Sequence, residues 1–274
     1  MISFRRERHA PANHARSGPQ PIYAIGDIHG RYDLLHALLG EIRRDAIERH
    51  PGVTPLLVLC GDYVDRGLSS ARVIGALTWL QRSAAIEVRL LEGNHEAMLM
   101  DFLESPTRLG RWLAVDGHTT IRSYGVSIPD DIDYQSARSL TMVRDGLLDA
   151  MPTSHYTLLR NLELYVEVGD YAFVHAGVAP GVALSSQKRD DLLWIRDGFL
   201  DHPRPAKSII VHGHTWTDDK AVVLPHRICI DTGAYKTGVL TALHIADDIL
   251  DVIQATTLNE SSDPATKRFA SGPN

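Results

Sequence analysis

Leu56-Leu57-Val58-Leu59-Cys60 runs directly into Gly61-Asp62-Tyr63-Val64-Asp65-Arg66-Gly67. The apolar run has strand length, and an unbroken run of this kind is expected of a parallel strand covered by helices on both faces. A carboxylate where such a strand ends points to chemistry rather than packing, because burying it unpaired is costly. The pattern repeats on either side. Residues 21–26 give a short strand ending in Gly26-Asp27-Ile28-His29-Gly30, and Glu87-Val88-Arg89-Leu90-Leu91 precedes Gly93-Asn94-His95-Glu96. The intervals from Asp27 to Asp62 and from Asp62 to Asn94 are each roughly 30 residues, the length of one strand-helix-strand unit. Consecutive crossovers of that length set the three blocks side by side at one edge of a parallel sheet, where α/β proteins bind their ligands.

The segments between the blocks fit this reading. Leu35, Leu38, Leu39, Ile42 and Ala46 share one face at helical spacing, and Pro51-Gly52 ends that helix. Ser69 or Ser70 can cap a second helix carrying Val73, Ile74, Leu77 and Leu80. From about residue 96 to 160 the pattern is helical, with breaks at Pro106, Gly110, Gly117, Pro129 and Pro152, and predicts an insertion beside the site. Strands return at Leu164–Val168 and Tyr171–Val174 around a Gly169-Asp170 turn, and open a second sheet. Further strands are expected at Ser208–Val211, Ala221–Leu224, Arg227–Ile230 and Val239–Ile245.

At 274 residues the chain suits one large α/β domain. Its 44% hydrophobic and 23% charged content are ordinary for a globular protein. A formal charge of −6 gives no reason to expect nucleic acid as a partner. Residues 1–19 hold Arg5, Arg6, Arg8 and Arg16 with Pro11, Gly18 and Pro19 and no apolar run, and read as a flexible basic tail. The domain is then expected over 20–256, with a flexible polar tail over 257–274. No secretory signal follows Met1 and no apolar run approaches the ~18 residues of a membrane span, so a cytoplasmic protein without a membrane partner is expected. Cys60 and Cys229 lie in apolar runs and read as buried thiols rather than a disulfide. Asn259-Glu260-Ser261 reads as a chance match to a glycosylation acceptor.

Asp27 and His29 alternate by two, so at an extended strand exit both would point the same way and could hold one ion. Asp62 at the next exit can bridge two cations, and Asn94 offers a neutral oxygen. Two imidazole-bearing strand ends follow, Val174-His175-Ala176-Gly177 and Val211-His212-Gly213-His214-Thr215. Together they make a mixed nitrogen and oxygen site for two divalent ions, with too few carboxylates for a calcium cage and no thiolate for structural zinc.

These five blocks, in order from about Pro21 to Ile245, resemble the phosphoprotein phosphatase (serine/threonine phosphatase) family of calcineurin-like metallophosphoesterases, especially its compact bacterial and phage members. The resemblance implies two mixed β-sheets packed as a sandwich, flanked by helices, with a helical insertion. It puts Asp27 and His29 on a first metal, Asp62 between the metals, and Asn94, His175 and His214 on a second, leaving His212 to support a ligand from behind or to pack. The implied cofactor is a pair of divalent ions, manganese first, with iron or zinc as alternatives. Arg66 and Arg196 are the implied phosphate contacts, with Asn94 and Tyr235 completing the substrate site. His95 is the implied proton donor and Asp65 its partner. The implied activity is hydrolysis of phosphorylated proteins or small phosphoesters, by direct in-line attack of a hydroxide bridging the metals.

The alternative is a dinucleoside tetraphosphate (diadenosine tetraphosphate) hydrolase, a relative with similar first and third blocks. That relative replaces Asp65 with Ala, ends its third block in Asp, and carries Trp after the last Gly-His, whereas this chain has Asp65, Glu96 and Thr215. A catalytically dead phosphate-binding scaffold would not be expected to retain every ligand together with His95. Two departures from the family pattern concern substrate shape. Thr232-Gly233-Ala234-Tyr235 shifts the site-covering aromatic by about one residue, and Gly117-His118 stands where a Gly-Gly pair is usual.

Overall fold

The computed structural model describes residues 1–11, 15–83, 85–130, 132–204, 206–247 and 249–257. Strand β1 (Ile2–His9) is followed by β2 (Ile22–Ile25), α1 (Tyr32–Arg49), β3 (Leu56–Leu59), α2 (Ser70–Leu80) and β4 (Glu87–Leu90). Strands β2, β3 and β4 are parallel, with Ile25 opposite Leu59 and Leu59 opposite Leu90. The three blocks therefore leave the sheet at a common edge, as their spacing predicts.

Five helices form the insertion: α3 (Asn94–Glu104), α4 (Leu109–Leu113), α5 (Gly117–Ser123), α6 (Ala137–Ala150) and α7 (Thr153–Arg160). The hairpin of β5 (Tyr165–Val168) and β6 (Tyr171–Val174) opens the second sheet. Helix α8 (Arg189–Trp194), β7 (Ile209–His212), β8 (Val222–Val223), β9 (Arg227–Cys229), α9 (Ala234–Thr237), β10 (Val239–Ala246) and β11 (Ile249–Thr257) complete the described chain. The sheet orders are β1-β11-β10-β2-β3-β4 and β5-β6-β7-β9-β8, both mixed in direction.

The period-two alternation of each strand builds the layers. Ile22 and Ala24 of β2 face inward with Leu56 and Val58 of β3, and meet Phe173, Val211 and Ile228 of the second sheet. Tyr23, Ile25, Leu57 and Leu59 point the other way into a core filled by Leu34, Leu35, Leu38 and Ile42 of α1 and by Val73, Ile74 and Leu77 of α2. The apolar runs of β2 and β3 are thus buried on both faces. Both cysteines are free and buried, and no helix among the described residues is long and apolar enough to cross a membrane.

The amino-terminal segment differs from the sequence expectation of a flexible tail over 1–19. Ile2–His9 pairs antiparallel with β11 along its whole length, from Ile2 opposite Thr257 to His9 opposite Leu250. The arginines that resemble a solvated run are anchors. Arg6 contacts Asp45 at 2.5 Å and Asp251 at 3.0 Å, and Arg8 also pairs with Asp251, a fully buried carboxylate. Farther on, Arg16 donates its backbone N–H to the Asp170 side chain at 2.9 Å, which ties this stretch to the β5–β6 turn. Strand β11, which the expected strands omit, supplies the partner for β1. The expected tail over 257–274 begins with Thr257, the last residue of β11, and from residue 258 it lies outside the described residues, as does Asn259-Glu260-Ser261. At α2, Ser69 stands at the cap position without a side-chain cap bond, and the Ser70 hydroxyl accepts the Asp65 backbone N–H at 3.1 Å instead.

Behind β10 lies a buried polar cluster. His244 stacks on Tyr23 at 4.6 Å and shares a 2.9 Å hydrogen bond with His50, with Asp45, Asp251, Arg6 and Arg49 around it. Burial, against the pull of Asp45, lowers the His244 imidazole to about 4. Its folded value lies below the ordinary 6.5, so its contribution to stability is complete above about pH 6.5 and is lost as pH falls toward 4. The melting temperature should fall across that window, and His244→Phe, which keeps an aromatic ring over Tyr23, should flatten the fall. An equally steep fall in the variant would show that another group titrates there.

Candidate active site

The loop of the second block turns sharply, and Glu96 is what shapes it. Its buried carboxylate accepts backbone N–H groups from Asp62 (2.8 Å), Tyr63 (2.8 Å), Val64 (3.1 Å) and Gly93 (3.0 Å), joining the second block to the start of α3. Burial and the neighbouring Asp62 charge push this carboxyl up to about 8, while the amides of Val64 and Tyr63 pull it down. The blocks are also strained. Among the described residues, seven non-glycine residues have positive φ, and five of them are His29, Asp62, Asp65, Arg66 and His214. Left-handed backbone at such residues persists only where surrounding contacts fix it, and it clusters at functional sites.

Two groups of side chains converge at the sheet edge, His29 with Asp62 and His95, and Asp62 with His175 and His214. Within each group the potential ligand atoms all lie within 4.8 Å of one another. Asp62 belongs to both groups. Its Oδ2 is 3.4 Å from His29 Nε2, and its Oδ1 is 3.4 Å from His175 Nε2. Burial works against its charge, yet the imidazoles around it, among which His95 is the one whose own value is raised, bring the carboxyl below the ordinary range.

Tautomers indicate what these groups are built to hold. His29 Nδ1 lies 2.8 Å from the Val64 carbonyl, so in the neutral ring Nδ1 carries the proton and Nε2 presents a lone pair. That buried Nε2 has no hydrogen-bond partner. His175 Nδ1 likewise lies 2.8 Å from the Cys60 carbonyl, which turns the Nε2 lone pair toward Asn94 Oδ1, itself an acceptor, at 2.8 Å. Burial lowers both imidazoles, so both rings are neutral at pH 7. Lone pairs converging with a carboxylate on one space, with no proton between them, fit divalent cations.

His214 sets its Nδ1 3.0 Å from the same Asn94 oxygen, and its imidazole is lowered to about 3, chiefly by burial. Its Nε2 accepts a hydrogen bond from Arg196 Nε at 3.2 Å, so Arg196 is tied to the rim of the site through Nε. Asp27 takes a different position from the one that an extended strand exit implies. Strand β2 ends at Ile25 and His29 is left-handed, so the period-two alternation of an extended strand does not continue through this block. Asp27 instead accepts the backbone N–H of His214 at 3.0 Å, and Gly213 leaves it room, because a Cβ there would collide with Asp27 Oδ1. Burial, with the charges of Asp231 and Asp62, raises the Asp27 carboxyl well above the ordinary range, and Asp231 is pushed up to about 7, again chiefly by burial. Asp231 is the neighbour that sequence reasoning missed, although it follows the apolar Arg227–Ile230 run in the way that Asp62 follows Leu56–Cys60.

His95 and Asp65 form the next layer. His95 Nδ1 lies 2.7 Å from Asp65 Oδ2, and its Nε2 is 3.9 Å from Asp62 Oδ2. Burial works against the imidazolium, but Asp62 and Asp65 overcome it and raise the value. Asp65 is fully buried, and takes further hydrogen bonds from Trp112 Nε1 (2.8 Å) and the Thr120 hydroxyl (2.6 Å). Trp112 packs on Gly117, where a Cβ would strike its ring, so the first position of the altered Gly-Gly pair keeps its glycine for a packing reason.

Tyr235 stands edge-on to His29 at 5.4 Å between ring centroids, with the Arg66 guanidinium 4.5 Å over its ring and Trp216 edge-on to it at 6.2 Å. His212 belongs to neither group and packs edge-on against Phe199 at 5.1 Å between ring centroids.

With this geometry, the chain belongs to the calcineurin-like phosphoesterase family, whose profile matches residues 20–234. It is 28% identical over 233 residues to serine/threonine-protein phosphatase 2 of Salmonella typhimurium, covering 82% of this chain and 92% of that one. It is 42% identical over 78 residues to a symmetrical bis(5'-nucleosyl)-tetraphosphatase of Sodalis glossinidius, covering 28% and 24%. A crystal structure described as that of a candidate diadenosine tetraphosphatase superposes with a TM-score of 0.58 at 20% identity, over 89% of this chain and 97% of that one, which is likeness of fold. The two mixed sheets with flanking helices are the fold of this family, and the chain is a phosphoesterase.

Proposed function

We propose that the chain is a two-metal phosphomonoesterase that acts on phosphoserine and phosphothreonine in proteins, in the cytoplasm. The observation that carries this reading is the buried 2.7 Å contact between His95 and Asp65 beside Asp62. A serine or threonine alkoxide is a poor leaving group and needs a proton, which a held imidazolium can supply. The broad match to a serine/threonine phosphatase, against a short match to a tetraphosphatase, supports the same choice.

His29, Asp27 and Asp62 would hold one divalent ion, and Asp62, Asn94, His175 and His214 the other, with manganese as the working metal. When bound, such ions polarise phosphoryl oxygens and lower the pKa of water. The protein's own groups do the rest. Arg66, whose guanidinium lies over Tyr235 at the mouth of the site, binds phosphate oxygens, and Arg196 offers its two terminal nitrogens beyond His214. Tyr235 closes the His29 side against water. His95 Nε2 faces the Asp62 carboxylate and delivers the proton to the departing oxygen, while Asp65 fixes the ring through Nδ1.

Splitting a dinucleoside tetraphosphate releases a phosphate-type leaving group that needs less protonation. Retaining the His95–Asp65 pair is therefore expected to favour a phosphothreonine peptide over diadenosine tetraphosphate by about tenfold or more in kcat/KM, about 1.4 kcal/mol in barrier. The test is a side-by-side assay at one manganese concentration. A clear preference for the dinucleotide would replace this reading with the tetraphosphatase one.

A further inference from the structure

Away from the sheet edge, α1 and α2 leave between them a cleft of about 1060 Å³. It starts at Tyr32, two residues beyond the first block, and reaches Val53 past the far end of α1. Its walls are largely apolar and open to solvent, with Trp79 69% and Ile47 61% exposed. Its charge is one-sided. The lining carries Arg43, Arg72, His36 and His50 and no carboxylate, on a chain of formal charge −6. Among the described residues Arg43 makes no ion pair, and Arg72 engages only the Tyr32 ring, at 4.0 Å. Gly40 stands in the middle of α1 facing the cleft, with nothing within 4 Å of where its Cβ would lie. A mid-helix glycine weakens the helix, and here no packing contact requires it; what it provides is depth.

We infer that this groove docks an acidic amphipathic helix of the protein substrate and so holds the phosphorylated segment near the site. The occupant follows from shape and charge. An 18-residue helix such as α1 is roughly 27 Å long at 1.5 Å per residue, and a partner helix of similar length can lay an apolar face along it. A single alkyl chain in so open a groove would leave much of its surface in water, whereas an amphipathic helix exposes only its polar face. Arg43 and Arg72 select carboxylates on that face. The inference rests on the phosphoprotein reading for its purpose, but docking is measurable without catalysis.

The probe is a fluorescein-labelled, unphosphorylated helical peptide of about 18 residues, with leucines at i, i+3, i+4 and i+7 and glutamates elsewhere. Anisotropy should report saturable binding to the full-length protein. Gly40→Leu, which fills the groove with a better helix former, and Arg43→Glu should each weaken it about tenfold, and a lysine-for-glutamate peptide should bind worse by a similar factor. Aryl phosphate turnover should stay unchanged in both variants. The same helix linked to a phosphothreonine peptide should lower KM without changing kcat.

Absence of binding, binding indifferent to both variants, or binding without the KM advantage would overturn the inference. So would laurate shifting Trp79 emission where the peptide does not, which would assign the groove to a small amphiphile. Failure to release phosphate from any phosphothreonine peptide would instead overturn the phosphatase reading, because peptide binding is read independently of it.

Discussion

Asp62→Asn should lower kcat/KM for an aryl phosphate by a factor of about 1,000 or more, roughly 4 kcal/mol of barrier, and reduce bound manganese from two ions per chain to one or fewer. The reason is geometric. Asp62 is the carboxylate common to both convergent groups, with one oxygen turned toward His29 and the other toward His175, each at 3.4 Å. Asparagine keeps the shape and one acceptor oxygen, so the His95 backbone N–H that donates to Oδ1 at 3.1 Å retains a partner and the loop need not collapse. What is lost is the charge and the second oxygen. Asp27→Asn should cost less, because Asp27 lies outside the two groups and already accepts the His214 amide beside a second carboxyl, Asp231. Metal content by plasma emission and turnover would be compared in both variants at matched melting temperature. Equal and mild losses would remove Asp62 from the bridging position.

The contrast between Asp62 and Asp27 also marks what the sequence can and cannot convey. Asp62, Asn94, His175 and His214 are legible because each lies within a few residues of the end of an apolar strand, and parallel pairing carries strand ends to one edge. The direction of a side chain after the strand ends is not legible in that way. Left-handed turns at His29 and Asp62 break the period-two alternation, so strand alternation is not what directs the side chains of this block. Contacts between distant segments are hidden for a different reason. Nothing local marks Trp112 or Thr120 as donors to Asp65, since 47 and 55 residues separate them from it. Glu96 reads as one more charge after a motif, until four backbone amides are found on its carboxylate. At the amino terminus, arginine-rich composition resembles a solvated tail because burial of the partner, Asp251, is a property of β11 and not of β1.

The hidden contacts around Asp65 bear directly on the chemistry, because they define what His95 can do. Asp65 receives Trp112, Thr120 and His95 with no exposed surface, so its orientation is fixed before substrate arrives. An imidazole held in this way is favoured in its protonated form by Asp62 and Asp65 and can release the proton to a leaving oxygen. His95→Asn should therefore slow hydrolysis of a phosphothreonine peptide by about 100-fold to 10,000-fold, the range of general acid catalysis, while an aryl phosphate, whose phenolate leaves readily, slows by less than about tenfold. Asp65→Asn should show the same ordering more weakly. Its amide has one acceptor oxygen for the three donors, so a fall in melting temperature should accompany the kinetic loss. The alkaline limb of the wild-type pH profile, set by loss of the His95 proton, should be absent from His95→Asn with the peptide substrate. If peptide and aryl phosphate slow by the same factor, His95 serves to position groups at the site and the proton comes from elsewhere.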